Sequence, residues 1–153
     1  MTGLTYEELT TNEPFKPLTV SLKRYAGRND AGRISVRHQG GGAKRLYRLV
    51  DFKLNKKEIT AKVETIEYDP YRSAFIALVC YADGERRYVL AHTEMKVGDQ
   101  IVTSNSAKPI AGNRMEIGNI PTGLAVHNVE MIVGKGAGAI RSAGSSATVI
   151  SQE

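Results

Sequence analysis

Few residues of this chain have side chains suited to catalysis or metal binding, and their spacing fits neither role. His38, His92 and His127 lack the i, i+4 pairing of a helical zinc site, and no carboxylate motif accompanies them. The single cysteine, Cys80, lies among apolar neighbours, where a small buried side chain is the default and a nucleophile the exception. One cysteine cannot form an internal disulfide and suits a reducing compartment. We therefore expect no catalytic residue, no metal and no cofactor, and an enzyme fragment is only a minor alternative.

The positive charge of the chain is concentrated in one segment. Residues 16–57 hold twelve basic and two acidic side chains, whereas residues 1–15 carry three acidic side chains and no basic one. Residues 58–153 hold nine basic and eleven acidic side chains, so the formal net charge of +5 comes from the first of these segments. An ordinary solvated basic face would mix the two signs more evenly. The concentration favours a polyanionic partner.

The segment from Arg24 to Arg48 combines arginine with glycine. It has five glycines and only one short apolar alternation, so it cannot build a core of its own and is typical of an arm that becomes ordered on its ligand. The planar guanidinium of arginine can both chelate phosphate oxygens and stack on bases. Glycine allows the backbone to approach a sugar–phosphate surface closely. Because the sequence contains no helix-turn-helix, zinc finger or basic-region heptad, the arm favours RNA over DNA.

The rest of the chain has the short period-two patterns of strands. Ile59, Ala61 and Val63 alternate, and the phase slip before Ile66 and Tyr68 predicts a bulge. Residues 73–81 are apolar on both faces and predict a buried strand, and Asp83-Gly84 predicts a two-residue hairpin loop. Further strands are expected at 86–90, 100–102, 115–120, 124–126 and 129–133. One short helix is expected after Thr5, where Glu8 completes a capping box.

These patterns predict an all-β protein with three parts. Residues 1–44 form an N-terminal extension with the basic arm, and residues 45–112 form a small barrel. Residues 113–153 begin a second barrel. About 40 residues seldom fold alone, so we expect this second barrel to be incomplete within the sequence given.

Four long motifs closely resemble, in order and spacing, the large-subunit ribosomal protein two family of bacterial or organellar type. The motifs are GRNDAGRISVRHQGGGAKRLYRLVDF (27–52), IEYDPYRSAFIALVCYADGERRYVLA (66–91), GNIPTGLAVHNVE (118–130) and IRSAGSSATVI (140–150). The resemblance implies an OB-like RNA-binding barrel followed by an SH3-like barrel. The family's Gly- and His-rich C-terminal extension has no counterpart in residues 1–153, so no residue of the catalytic region of the ribosome is assigned.

The resemblance and the charge pattern together predict the residues that contact RNA. Most are cations, accompanied by one histidine and a glycine run. They are Lys23, Arg24, Arg28, Arg33, Arg37, His38, Gly40, Gly41, Gly42, Lys44, Arg45, Arg48, Lys53, Arg72, Arg86, Arg87, Lys135 and Arg141.

The resemblance implies a structural constituent of the large ribosomal subunit that binds large-subunit ribosomal RNA and supports assembly, subunit association and translation. The expected partners are this RNA and neighbouring ribosomal proteins, with no membrane. A separate chain that completes the C-terminal barrel is a further candidate partner. We expect a cytoplasmic ribosome, with an organellar ribosome as the alternative. A different class of function is also open, namely an OB-type RNA binder or RNA chaperone acting outside the ribosome.

The low apolar content of the arm predicts that it is disordered without RNA. Ordering a residue costs about 1–2 kcal/mol, and the arm has little apolar surface whose burial could offset that cost. We expect fast amide hydrogen exchange from Gly27 to Lys44 in the free chain and slow exchange once RNA is bound. Strong protection of these amides in the free chain would contradict the prediction.

Overall fold

The computed structural model describes residues 6–151, which form three small antiparallel sheets and two short 3₁₀ turns. The strands are β1 (Thr19–Val20), β2 (Tyr47–Arg48), β3 (Ala61–Glu67), β4 (Ile76–Tyr81), β5 (Arg86–Leu90), β6 (Gln100–Ile101), β7 (Ala125–Val126) and β8 (Ala147–Thr148). The 3₁₀ turns are Lys16–Leu18 and Ile117–Asn119. No helix within residues 6–151 is long and apolar enough to cross a membrane.

The largest sheet has the strand order β5-β4-β3-β6, and its curled form is that of a small OB-like barrel. The register of β3 against β4 shifts between Val63 and Thr65, which confirms the predicted bulge. Both faces of β4 are buried, as its apolar sequence predicted: Val79 packs with one set of core residues and Ile76 with another. The all-β prediction is therefore confirmed for the part of the chain that the structure describes.

The loop between β4 and β5 has three residues, 82–84, and not the predicted two. Tyr81 pairs with Glu85 through a backbone hydrogen bond of 2.9 Å, and Gly84 takes a left-handed φ of 85°. A three-residue hairpin loop ends in such a left-handed residue, which glycine adopts without strain.

Other predictions of local structure were wrong. The stretch 115–120 is not a strand and contains the second 3₁₀ turn, and residues 131–133 form an exposed turn, not a strand. The helix predicted after Thr5 is absent from residues 6–15, and Thr5 itself lies outside the described residues. Cys80, whose apolar neighbours predicted burial, is only half-buried. Local apolar content suggested the two strands and the burial of Cys80, and the capping-box pattern suggested the helix, but the tertiary contacts support none of them.

A buried hydrogen-bond network attaches the N-terminal segment to the large sheet. The Tyr88 hydroxyl accepts a hydrogen bond from the Phe15 backbone N–H at 2.7 Å and donates one to Glu67 at 2.8 Å. Burial raises the pKa of this hydroxyl, so it stays protonated. Thr65 donates to the other oxygen of Glu67. The carboxylate, only 3% exposed, is thus satisfied by two donors.

The basic segment leaves and re-enters the fold through one pair of strands. Thr19 pairs with Arg48 and Val20 with Tyr47, and the Leu49 N–H donates to the Leu18 carbonyl at 2.9 Å. Residues 21–46, hereafter the basic loop, are therefore held at both ends beside the barrel. The sequence predicted an extended arm and gave no indication of this closure.

The C-terminal block, residues 113–151 of the described chain, attaches to the barrel at Phe52. The Phe52 carbonyl accepts hydrogen bonds from the Ala137 N–H at 2.8 Å and from Arg114 Nη1 at 3.3 Å. Arg114 also forms a 2.6 Å ion pair with Glu130. The adjacent Gly136 has a φ of 88°, and a Cβ there would lie 3.0 Å from the Phe52 carbonyl oxygen, so glycine is required for this approach.

We expect Tyr88→Phe to lower the free energy of unfolding by about 1–3 kcal/mol, because it removes the hydrogen-bond partner of the buried Glu67 Oε2 and of the Phe15 N–H. Urea denaturation of the full chain measures this change. The matched control is Tyr25→Phe, whose exposed hydroxyl has no hydrogen bond to residues 6–151 and should change stability by less than about 0.5 kcal/mol. Equal midpoints for the two variants would contradict the assigned network.

Candidate RNA interface

The predicted RNA-binding cations differ in their partners. In the basic loop all seven cations are exposed, and none forms an ion pair with an acidic group of residues 6–151. These seven are Lys23, Arg24, Arg28, Arg33, Arg37, Lys44 and Arg45. Asp30 is the one acidic residue in the loop. The loop therefore presents unneutralised positive charge to solvent.

Three predicted cations of the barrel, Arg72, Arg86 and Arg87, are already paired with carboxylates. Arg86 binds Glu64 through two hydrogen bonds of 2.7 and 2.9 Å, and this contact lowers the pKa of the Glu64 carboxyl. Arg87 contacts both Asp51 at 2.7 Å and Glu85 at 2.6 Å, and these carboxylates raise the pKa of its guanidinium. A phosphate would have to compete with these carboxylates, so both arginines are weaker candidates for RNA contact.

The basic loop is shaped by backbone hydrogen bonds rather than by a core. The Gly27 carbonyl accepts from the N–H groups of Ser35 at 2.9 Å and Val36 at 3.1 Å, and Arg28 and Ile34 form an antiparallel bridge. Gly27 is buried, and a Cβ there would lie 2.2 Å from the Val36 carbonyl oxygen. This small hairpin was missed, although Asn29 and Gly32 are turn residues that could have indicated it. Residues 28–36 of this hairpin are nevertheless all exposed, and the expected fast exchange of the loop amides stays a prediction.

The three consecutive glycines of the loop all have left-handed backbone. Gly40, Gly41 and Gly42 have φ values of 108°, 78° and 82°, and His38 before them has a φ of 63°. Arg24 Nη1 lies 3.5 Å from the Gly41 carbonyl oxygen, so this guanidinium is close to the glycine run. Side chains at these positions would be strained, and their absence leaves the backbone open to a ligand.

Arg45 and Arg48 mark the passage from the basic loop into the barrel. Arg45 donates to the Pro70 carbonyl at 3.3 Å and lies 6.0 Å from the centre of the Tyr71 ring, with its side chain exposed. Arg48 is only 8% exposed and donates to the Leu46 carbonyl at 2.8 Å. Its buried Nε has no hydrogen-bond partner among the described residues. Of the two, Arg45 is the one placed to reach a ligand at the surface.

Other predicted residues lie around the aromatic ring of Phe52, a residue that was not among the predicted RNA contacts. The guanidinium carbons of Arg72 and Arg141 lie 5.6 and 4.8 Å from the centre of the Phe52 ring. Lys53 is the next residue along, and the exposed Lys135 precedes Gly136, whose approach to Phe52 is described above. Arg72 also binds the buried Asp69 at 2.5 Å. We name Phe52, Lys53, Arg72 and Arg141 the Phe52 cluster. It unites residues that are up to 89 positions apart in the chain.

The three histidines belong to no group of potential metal ligands within residues 6–151. His92 and His127 line a cavity of about 470 Å³ between the large sheet and the C-terminal block. Burial lowers the pKa of both imidazoles, so both are neutral at pH 7. His38 is exposed on the basic loop.

Comparison with protein families agrees with this geometry. Residues 15–103 match the model described as Ribosomal Proteins L2, RNA binding N-terminal domain, and residues 110–153 match the model described as Ribosomal Proteins L2, C-terminal domain. Together with the OB-like barrel and its basic loop, these matches define a ribosomal RNA-binding protein of the large subunit. The chain belongs to the ribosomal protein L2 family.

Family membership fixes the general role of the chain. The family is structural and non-enzymatic, and its members reside in the ribosome, where they bind ribosomal RNA and other ribosomal proteins. The RNA-binding family model includes the whole basic loop and the barrel. The individual residues that contact RNA stay a prediction.

We expect replacement of Arg33, Arg37, Lys44 and Arg45 by alanine to flatten the salt dependence of RNA binding. Each lost phosphate contact should reduce the slope of log K against log salt by roughly 0.7–0.9, because fewer counterions are released. Binding of full-length large-subunit ribosomal RNA, measured at several salt concentrations, gives the slope. Removal of Arg86 and Arg87 should change the slope less, because carboxylates already neutralise them. The distinction between unpaired and carboxylate-paired cations would be contradicted by either of two results. One is an unchanged slope when the four loop residues are replaced, and the other is an equal change of slope when Arg86 and Arg87 are replaced.

Proposed function

We propose that the basic loop is the principal surface by which this chain binds large-subunit ribosomal RNA. One observation carries the proposal: the seven cations of the loop have no carboxylate partner within residues 6–151, whereas Arg72, Arg86 and Arg87 do. Unpaired cations release counterions when they meet phosphate and lose no internal ion pair in doing so. The left-handed glycines 40–42 bring backbone N–H groups to the same surface, where they can donate to phosphate oxygens.

The Phe52 cluster provides a second RNA contact in this proposal. The aromatic ring holds two guanidinium groups at one place, and the exposed Arg141 has no acidic partner in the described chain. Phosphate contacts at two separated points fix the orientation of a protein on its RNA better than contacts at one point. The loop would then supply most of the affinity, and the Phe52 cluster would set the direction in which the barrel lies.

This binding supports assembly of the large subunit, subunit association and translation, and the chain acts as a structural component without catalytic activity of its own. A loop anchored at both ends can lie in an RNA groove while the barrel stays outside that groove. The loop and the barrel can then contact different RNA segments and hold them together during assembly. The proposed location is the cytoplasmic ribosome, and cell fractionation distinguishes it from an organellar one. The separate chain that would complete the second barrel stays a prediction.

Co-sedimentation tests the proposal against action outside the ribosome. We expect the full chain to remain with the large subunit in sucrose gradients at moderate salt, and the alanine variant of Arg33, Arg37, Lys44 and Arg45 to be released at lower salt. A charge-matched control removes four exposed lysines outside both surfaces, namely Lys57, Lys62, Lys96 and Lys108. The control should sediment like the unmodified chain. Release of the unmodified chain at moderate salt would favour an RNA chaperone, and equal release of both variants would show that only total charge matters.

A further inference from the structure

Tyr25 differs from the other six tyrosines of the chain, all of which lie within residues 6–151. Four of those six contact another aromatic ring: Tyr6 and Tyr68 contact each other, and Tyr47 contacts Tyr71. The remaining two, Tyr81 and Tyr88, are buried in the core. Tyr25 is 71% exposed and has no ring contact in the described chain. A large aromatic face is thus left open to solvent, and it lies in the most basic part of the protein.

The backbone holds Tyr25 at a defined place. The Arg28 N–H donates to the Tyr25 carbonyl at 3.0 Å, and the two residues between them, Ala26 and Gly27, have φ values of 51° and 65°. Two successive positive φ values are those of a type I′ turn, which is tight. Gly27 is fixed by its contacts with Ser35 and Val36, so Tyr25 stands at the corner of the small hairpin of the basic loop.

One cation lies over the ring, and two more flank it in the sequence. Lys23 Nζ lies 5.2 Å from the ring centre, and the neighbouring Arg24 and Arg28 are exposed. A nucleotide whose base rests on the ring would have its phosphates within reach of these side chains. Stacking of a base on an aromatic ring depends little on base identity, and cations beside the ring neutralise the backbone of the same strand.

We infer that Tyr25 is a stacking platform for an unpaired base of RNA. The basic loop then binds a single-stranded or bulged nucleotide at this point, not only the backbone of a duplex, because bases within an A-form helix are stacked on each other and cannot reach a side-chain ring. The inference rests on the proposed function of the basic loop and adds the type of RNA element that the loop recognises.

Affinity at several salt concentrations separates stacking from electrostatics. We expect Tyr25→Leu to weaken binding of large-subunit ribosomal RNA by about 5- to 140-fold at every salt concentration, with an unchanged salt slope, since stacking contributes to affinity and releases no counterion. Tyr25→Phe keeps the ring and should bind within about twofold of the unmodified chain. The control Tyr6→Leu removes a half-exposed tyrosine from the acidic N-terminal segment and should have no effect.

Three results would overturn the inference. Unchanged affinity for Tyr25→Leu means that no base stacks on the ring, and an equal loss for Tyr25→Phe means that the hydroxyl is what binds. A reduced salt slope for Tyr25→Leu means that the residue acts through the neighbouring cations. If RNA binding by the unmodified chain does not depend on salt, the proposed function of the basic loop fails. This result is distinct from failure of the stacking inference, because it is obtained without any change at Tyr25.

A fluorescent strand tests the contact directly. The probe is a short oligoadenosine RNA with one central 2-aminopurine, used either alone or annealed to its complement. We expect the unmodified chain and Tyr25→Phe to quench the single strand more than Tyr25→Leu does, and none of them to quench the duplex. Equal quenching by Tyr25→Leu, or equal quenching of the duplex, would contradict stacking of an unpaired base on Tyr25.

Discussion

The pairing of β1 with β2 is the constraint on which the arrangement of this protein depends. Two residue pairs, Thr19 with Arg48 and Val20 with Tyr47, bring together the two ends of a 26-residue loop. Closing a loop of this length costs entropy, and the loop itself buries almost nothing that could offset the cost. The offset comes from the adjoining barrel, where Phe15 and Leu18 pack against the core and the Phe15 N–H binds the Tyr88 hydroxyl. The barrel thus stabilises a loop that could not stabilise itself.

The distribution of acidic residues decides which cations are available to RNA. The carboxylates of the barrel lie beside its own arginines, as Glu64 beside Arg86 and Asp51 beside Arg87 show. Solvent-exposed ion pairs of this kind contribute little to the stability of the fold. They do lower the free energy that the arginine gains on binding a phosphate, because the phosphate must replace the carboxylate. The cations of the basic loop have no carboxylate partners in the described chain. The repulsion among these cations is relieved when a polyanion binds.

Glycine allows the loop to have a shape without a core. At Gly27 a side chain would collide with the Val36 carbonyl, and the run 40–42 lies wholly in left-handed backbone. Apart from the buried Gly27, nearly all residues of the loop are exposed, so the loop can adjust to its ligand at small cost. Gly136 has a comparable role at the contact between the C-terminal block and Phe52, where close backbone approach allows Arg141 to reach the ring.

The sequence by itself determined the all-β class, the bulge of β3, the burial of both faces of β4, the concentration of charge in one segment and, through its long motifs, the ribosomal family. These features depend on neighbours along the chain, where side-chain period and glycine spacing are directly readable. Only the tertiary structure decided which arginines are neutralised, because Arg86 and Glu64 are 22 positions apart and nothing local pairs them. It also decided the closure of the basic loop and the meeting of Arg72 and Arg141 at Phe52. Such contacts are fixed by packing between distant segments. Residues 131–133 are apolar but pair with no strand of the described chain, and they form an exposed turn.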